Sequence, residues 1–235
     1  MKAILLAAGL GTRLRPLTDT IPKCLVPIQG RPLLEWWLEL LKKHGVQEVL
    51  INTHYLAEQV HAWLEAYRGR TDAVQVTEYY EKTLLGSGGT VRENRAFVGS
   101  EPFFICYADN FTSIDLGDML AFHNSHSGLL TMALFHAAHP QQCGIAQLDD
   151  RQRIVDFVEK PAVPKSDWSN AGVYITDGRI FEHIPTGESV DFGMHVLPRI
   201  IGRMYGWPIK GQLIDVGTPE NYKRAQTIKI EGQLT

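Results

Sequence analysis

Apolar positions follow several distinct rhythms along this chain. Ala3 to Ala8 is an unbroken apolar run, the pattern of a strand buried on both faces. Glu48 to Asn52 repeats it, with Val49, Leu50 and Ile51 at its centre. Between the two, Arg31 to Gly45 predicts a helix with its punctuation in place. Pro32 suits the first turn, Lys42, Lys43 and His44 suit the negative end of the dipole, and Gly45 closes the helix. Leu56, Val60, Trp63, Leu64 and Tyr67 recur at helical spacing, and Val74 to Tyr79 alternates as a half-buried strand does. This strand–helix–strand–helix–strand order predicts an α/β fold with a parallel sheet covered on both faces. In such sheets ligands sit beyond the carboxyl ends of the strands.

The same reading continues downstream. Leu84 to Thr90 opens a helix reaching about Phe97, Pro102 to Ala108 is the most apolar strand, and Leu116 to about Ser127 is a helix. Leu129 to Phe135 is a further strand. From Cys143 the pattern changes: Gly144 to Leu148 and Ile154 to Pro161 flank a turn at Asp149-Asp150 and read as a hairpin. Asn170 to Thr176 adds a strand, Asp191 to Arg203 a helix interrupted near Pro198, and Tyr205 to Ile214 leads to Asp215, with Pro219 starting a closing helix. No linker or repeat divides the chain. The expectation is one domain over residues 1–235, a mostly parallel half (1–127) followed by a smaller antiparallel or mixed half (128–235).

Composition narrows the function classes. An apolar share of 44% supports a sizeable core, and a formal charge of −3 leaves no electrostatic footprint for nucleic acid. Cys24, Cys106 and Cys143 fit no zinc or disulfide spacing, and Cys106 packs in an apolar run, so a reducing compartment is expected. No signal peptide precedes the first strand, and no apolar run approaches the ~18 residues of a membrane span. These features predict a cytoplasmic protein without membrane partners. His123, His126, His136 and His139 have no clustered ligand-type neighbours and are expected to be surface histidines.

The chemistry concentrates where the first strand ends, at Gly9-Leu10-Gly11-Thr12-Arg13. Glycines there let backbone N–H groups approach a ligand, and such concave donors favour anions. Arg13 and Lys23 add fixed positive charge, so a polyphosphate is the expected guest. The dinucleotide fingerprint is excluded because Leu14 stands where its third glycine belongs, and the P-loop because Gly-Lys-Ser/Thr occurs nowhere. Gly86-Ser87-Gly88-Gly89 also follows a strand, and three glycines in four residues point to a ligand. Asp109, at the mouth of a central strand, is placed to hold Mg²⁺. Glu159, Lys160 and Asn170 together supply the acceptor, cation and amide that a sugar phosphate needs.

Gly-x-Gly-Thr-Arg followed by Pro22-Lys23 resembles the signature of the sugar-phosphate nucleotidyltransferases, and the likeness runs along nearly the whole chain. The resemblance implies a Rossmann-like three-layer α/β/α fold and a reaction of NTP with sugar 1-phosphate to give NDP-sugar and pyrophosphate. It implies Mg²⁺ on Asp109 and on Asp215 of Asp-Val-Gly-Thr-Pro. It places the nucleotide on Ala8, Gly9, Gly11, Thr12, Arg13, Lys23, Gly86 and Gly88. The sugar phosphate falls to Tyr107, Gly144, Glu159, Lys160, Asn170 and Gly172. Arg13, Lys23, Asp109 and Asp215 are the implied catalytic set. One departure stands out: the family usually has Asn-Gly before the first metal aspartate, and this chain has Tyr107-Ala108. GTP with a mannose- or heptose-type sugar, or UTP with an amino sugar, are the leading pairs, and a homo-oligomer is compatible with the sequence. The long C-terminal extension of several relatives is not expected. Ala-Asp109-Asn110 also resembles cytidylyltransferases for phosphocholine, with Tyr107 and Trp168 as cage aromatics. A silent nucleotide-binding subunit is the third reading, although it would be expected to have lost one of the four catalytic residues.

Overall fold

The computed structural model describes residues 1–228, so residues 229–235 of the expected domain lie outside the described residues. The chain forms two compact units, each assembled from separated segments. The first unit comprises Met1–Leu84, Tyr107–Ile114 and the described chain from Gly211; the second comprises Leu85–Cys106 and Asp115–Lys210.

In chain order the first unit begins with β1 (Lys2–Leu6), the short pair β2 (Pro27–Ile28) and β3 (Arg31–Pro32), α1 (Leu33–Lys43), β4 (Glu48–Thr53), α2 (Ala57–Arg68) and β5 (Gln75–Tyr80). The chain then supplies α3 (Gly86–Glu93), α4 (Arg95–Val98) and β6 (Phe103–Tyr107). After β7 (Asn110–Thr112), in the first unit, come α5 (Leu116–Asn124), β8 (Leu130–His136), β9 (Gly144–Leu148), β10 (Ile154–Glu159), β11 (Trp168–Thr176) and β12 (Met204–Pro208). The first unit closes with β13 (Leu213–Asp215) and α6 (Pro219–Thr227).

Within the first unit, β1, β4 and β5 are parallel and in simple register, Lys2 opposite Glu48 and Glu48 opposite Gln75. Ala3, Ile4 and Leu5 are fully buried, as the apolar run requires. The strand stops at Leu6, two residues short of the sequence expectation, because the Asn52 side chain replaces the backbone ladder. Its Oδ1 accepts from the Ala7 N–H at 2.7 Å. Helix α1 buries Leu33, Leu34, Trp37, Leu38 and Leu41, one continuous stripe at 3.6-residue period. Pro32 stands at its N-cap, one place before the predicted first turn.

The second unit is α/β with mixed strands. β11 runs antiparallel to β6 and β8, β9 and β10 form the expected hairpin, and β12 adds parallel to β8. The predicted single helix from Leu84 is divided into α3 and α4 at Asn94. The helix expected over 191–203 is instead a π-helical turn (Phe192–Val196) followed by a 3₁₀ turn (Leu197–Ile200). Pro198 has no N–H to continue an α-ladder, so the backbone bonds are redistributed.

Two of the four histidines expected at the surface are not there. His123 is buried, and His126 is partly buried and stacks on Tyr205 with ring centroids 4.1 Å apart. Both bond to the buried Thr131 hydroxyl, His123 Nδ1 at 2.8 Å and His126 Nε2 at 2.9 Å. Strand β8 brings that hydroxyl to them, a partner that the local helical pattern does not reveal. His136 and His139 are exposed as expected. No helix among the described residues is long and apolar enough to cross a membrane.

Candidate active site

The carboxylates of Asp109 and Asp215 meet because β7 and β13 pair antiparallel. Asp215 lies opposite Asn110, Ile214 opposite Phe111, and the Val216 N–H donates to the Asp109 carbonyl at 2.9 Å. This small ladder is held from behind by a cluster of Leu14, Val26, Ile28, Leu33, Phe111, Ile214, Val216 and Ala225, all buried. The alternation of the two strands thus sends their apolar side chains inward and leaves the aspartates at the rim. The Trp37 indole N–H donates to the Asn110 carbonyl at 2.7 Å and ties the ladder to α1.

Lys23 reaches the same place from a single 3₁₀ turn (Lys23–Leu25). Its Nζ lies 2.7 Å from Asp109 Oδ2 and 3.5 Å from Asp215 Oδ1. Arg13 Nη2 lies 3.5 Å from Asp215 Oδ2. The four residues implied as catalytic are therefore one cluster. Burial, followed by the neighbouring Asp109 charge, pushes the Asp215 carboxyl above the usual carboxylate range, against the pull of Lys23 and Arg13. Asp215 Oδ1 is itself buried and accepts no hydrogen bond among the described residues. Two like charges side by side, one with an orphaned oxygen, fit a divalent cation. The donor set is hard oxygen, and Mg²⁺ characteristically takes one or two carboxylates and completes its shell with water and phosphate. Among the described residues no third His, Cys, Asp or Glu makes up a larger ligand group.

The glycine loop beside this cluster divides by function. Gly11 has φ +64°, and a Cβ there would meet Thr18 Cγ2 at 2.9 Å, so the fold itself demands glycine. Gly9 has no atom within 4 Å of where its Cβ would be, so no packing contact explains the missing side chain. Gly9, Thr12 and Arg13 are exposed and Ala8 is buried beneath them. Gly217 was not predicted as a site residue. A Cβ there would meet Asp215 Oδ1 at 2.7 Å and Arg13 Nη2 at 2.9 Å, so its absence gives both groups their place. The signal was already visible as the glycine of Asp-Val-Gly-Thr-Pro.

The remaining predicted residues belong to the second unit, except Tyr107, which is half-buried at the end of β6. Gly86 and Gly88 pack on Val190: their Cβ atoms would approach the Val190 carbonyl oxygen to 2.6 and 3.1 Å. That oxygen already accepts from the N–H groups of Gly88 and Gly89, at 2.7 and 3.0 Å. Close backbone packing thus accounts for these glycines. Ser87 between them donates to Asp191 Oδ2 and accepts from the Phe192 N–H.

Glu159 ends β10 opposite Gly144 on β9. Its Oε2 lies where a Cβ would stand on Gly144 (2.5 Å) or Gly193 (2.9 Å), so two glycines form a cup around the carboxylate. Burial raises the Glu159 carboxyl above its ordinary value, Lys160 opposes the shift, and Asp191 adds to it. Lys160 is largely exposed, its Nζ 4.0 Å from Glu159 Oε1. Asn170 turns inward: its amide donates to the Tyr174 hydroxyl at 2.6 Å and accepts from the Gly172 N–H at 3.0 Å. It braces the irregularity in β11, where the register with β8 shifts between Asn170 and Tyr174. Asp191 and Gly193 escaped prediction because nothing in the local pattern marks them, whereas Ser87 lies within the glycine-rich segment that does stand out.

Comparison with known proteins bears on the family of the chain. The sequence profile described as nucleotidyl transferase matches residues 2–231. A UTP–glucose-1-phosphate uridylyltransferase of Synechocystis is 31% identical over 96% of the chain and 62% of its own length. A mannose-1-phosphate guanylyltransferase of Mycobacterium tuberculosis is 30% identical over 98% of the chain and 65% of its own length. The chain thus spans less than two thirds of these curated relatives. The crystal structure of HddC from Yersinia pseudotuberculosis complexed with GMP-PN superposes with a TM-score of 0.78 at 25% identity, over 96% of this chain and 97% of that one.

Proposed function

Because the chain belongs to the nucleotidyl transferase family, we propose that it joins a nucleoside triphosphate to a sugar 1-phosphate, releasing pyrophosphate and forming an NDP-sugar, in a Mg²⁺-dependent reaction in the cytoplasm. The observation that carries this reading is the Arg13–Lys23–Asp109–Asp215 cluster beside an exposed glycine loop. The nucleophile is a phosphate oxygen already ionised at neutral pH, so no general base is needed. The chain's task is alignment and relief of charge repulsion. Gly9 to Arg13 present backbone donors and a guanidinium to the triphosphate, and Lys23 and Arg13 stabilise charge gathering on the departing pyrophosphate. In the second unit Lys160 offers an exposed cation to the sugar phosphate, and Glu159, held in its glycine cup, accepts from sugar hydroxyls. A divalent cation on Asp109 and Asp215 would supply charge neutralisation at the reacting phosphates.

The guanylyl- and uridylyltransferase names of the relatives favour GTP or UTP as donor. The GMP-PN complex of the Yersinia protein favours a guanine nucleotide, and the mannose-1-phosphate name of the Mycobacterium relative favours a mannose-type acceptor. The test is a matrix of four NTPs against a panel of sugar 1-phosphates, plus phosphocholine, read by pyrophosphate release. Asp109→Ala should lower turnover by a factor on the order of 10²–10³ or more, the usual loss when one electrostatic contact at the reacting centre is removed. Unaltered Mg²⁺-dependent release by a folded Asp109→Ala protein would sink the assignment. Binding of a nucleotide with no turnover against any acceptor would establish a silent subunit instead.

A further inference from the structure

The cation between the two carboxylates belongs to the chain. Lys23 Nζ is within hydrogen-bond distance of Asp109 Oδ2 (2.7 Å) and within ion-pair distance of Asp215 Oδ1 (3.5 Å). Its side chain is only 9% exposed, so it is committed to this position and does not sweep through solvent. Val26 and Leu25 close the 3₁₀ turn on the Lys23 and Pro22 carbonyls and hold its backbone still. The pairing is nevertheless incomplete, since Asp215 Oδ1 is buried without a hydrogen bond. With Arg13 included, two carboxylates meet two cations and the cluster is neutral as it stands.

Resting on the nucleotidyl-transfer reading above, we propose that Lys23 is a resident surrogate cation that a divalent metal must evict, so that this site accepts metal readily only together with a triphosphate. The argument is one of charge. Coulomb repulsion scales with the product of charges, so a divalent ion at contact distance from the ammonium is repelled twice as strongly as a second ammonium would be. The ammonium leaves most readily for another anion. The polyphosphate expected on the Gly9–Arg13 loop is such an anion, and Arg13 is common to both places. Metal arrival and delivery of Lys23 to the phosphates then become one exchange. Lys23 acts as a gate against metal without nucleotide as well as a stabiliser of the leaving group.

The test measures metal binding, not turnover. Mn²⁺ affinity is determined by electron paramagnetic resonance on nucleotide-free wild type, Lys23→Gln and Lys23→Met, each checked for folding by circular dichroism. Both variants should bind Mn²⁺ about tenfold or more tightly than wild type, since a like charge has been removed from contact distance. Lys23→Arg should stay weak, and Asp109→Asn added to Lys23→Gln should reverse the gain. Mn²⁺ binding by the two neutral variants no tighter than by wild type overturns the proposal. Wild type gives an independent reading: reductive methylation of Lys23, followed by mass spectrometry, should be slow without metal and several-fold faster at saturating Mn²⁺. An unchanged rate also overturns it. Failure of the substrate matrix with wild type would remove the transfer reading while leaving both metal measurements valid, so the two failures are distinguishable.

Discussion

Gly9 and Gly11 are two residues apart and do different work. Gly11 is required by its left-handed backbone and by Thr18 behind it, whereas nothing in the chain occupies the space where a Gly9 side chain would be. Gly11→Ala should therefore lower stability by about 1–3 kcal/mol. Gly9→Ala should melt within about 0.5 kcal/mol of wild type, as substitutions free of packing contacts do, yet bind triphosphate more weakly. Thermal unfolding and nucleotide titration on both variants check the pair, and equal melting points for the two would contradict it. His123 shows the opposite situation, a residue whose character depends on a strand it does not touch in sequence. Burial first, with help from His126 and Arg179 and opposition from Asp177, holds its imidazole down to about 4. The unfolded chain takes up that proton near pH 6.5, so the neutral histidine's contribution is complete above pH 6.5 and is lost as pH falls toward 4. The shift corresponds to roughly 3 kcal/mol. Urea unfolding of wild type and His123→Gln at pH 7 and pH 4.5 should show the smaller loss in the variant.

Elements explain why the site residues converge. The ladder of β7 with β13 sets Asp109 beside Asp215, and the strand ends of β1 and β4 are joined by Asn52, which is 4% exposed. Asn52 accepts from the Ala7 N–H and donates to Glu81 Oε1 at 2.8 Å, so one side chain links the residue just after β1 to the residue just after β5. Asn52→Leu removes both bonds and should cost about 2–4 kcal/mol, the sum expected for two buried polar groups losing a partner. Urea denaturation with an unchanged m-value would confirm it; a loss below 1 kcal/mol would contradict it. Most elements were legible in the sequence. The stripe of α1, the run of β1 and the hairpin of β9 with β10 are written in local periodicity. The π-turn at Phe192–Val196 and the division at Asn94 were not: the Phe192 N–H is taken by the distant Ser87 hydroxyl, and the Asn94 side-chain amide donates to the Thr90 carbonyl one turn back, a local bond that apolar periodicity does not register.

For the molecule as a whole, the proposed function predicts linkage between ligand and stability. A triphosphate with Mg²⁺ at a hundred times its dissociation constant stabilises by about 2.7 kcal/mol. That corresponds to a rise in melting temperature of about 5–10 °C for a domain of this size. Differential scanning fluorimetry across four NTPs should single out the true donor, and a flat response to all four would argue against a nucleotide site. Local constraints were enough to announce the parallel α/β half, the anion-favouring glycines and the strand-end acid Asp109. Periodicity, backbone freedom and residue chemistry act over a few positions and can be read in any order of folding. The meeting of Asp109 with Asp215 came from family likeness, since no local rule joins residues so far apart. Chain pairing alone set Lys23 between the two acids, laid Val190 beneath the Gly86–Gly89 turn, closed Gly144 and Gly193 around Glu159 and buried His123. Each of those facts arises from which segments pack together, and packing partners are chosen by the folded shape, not by neighbours in sequence.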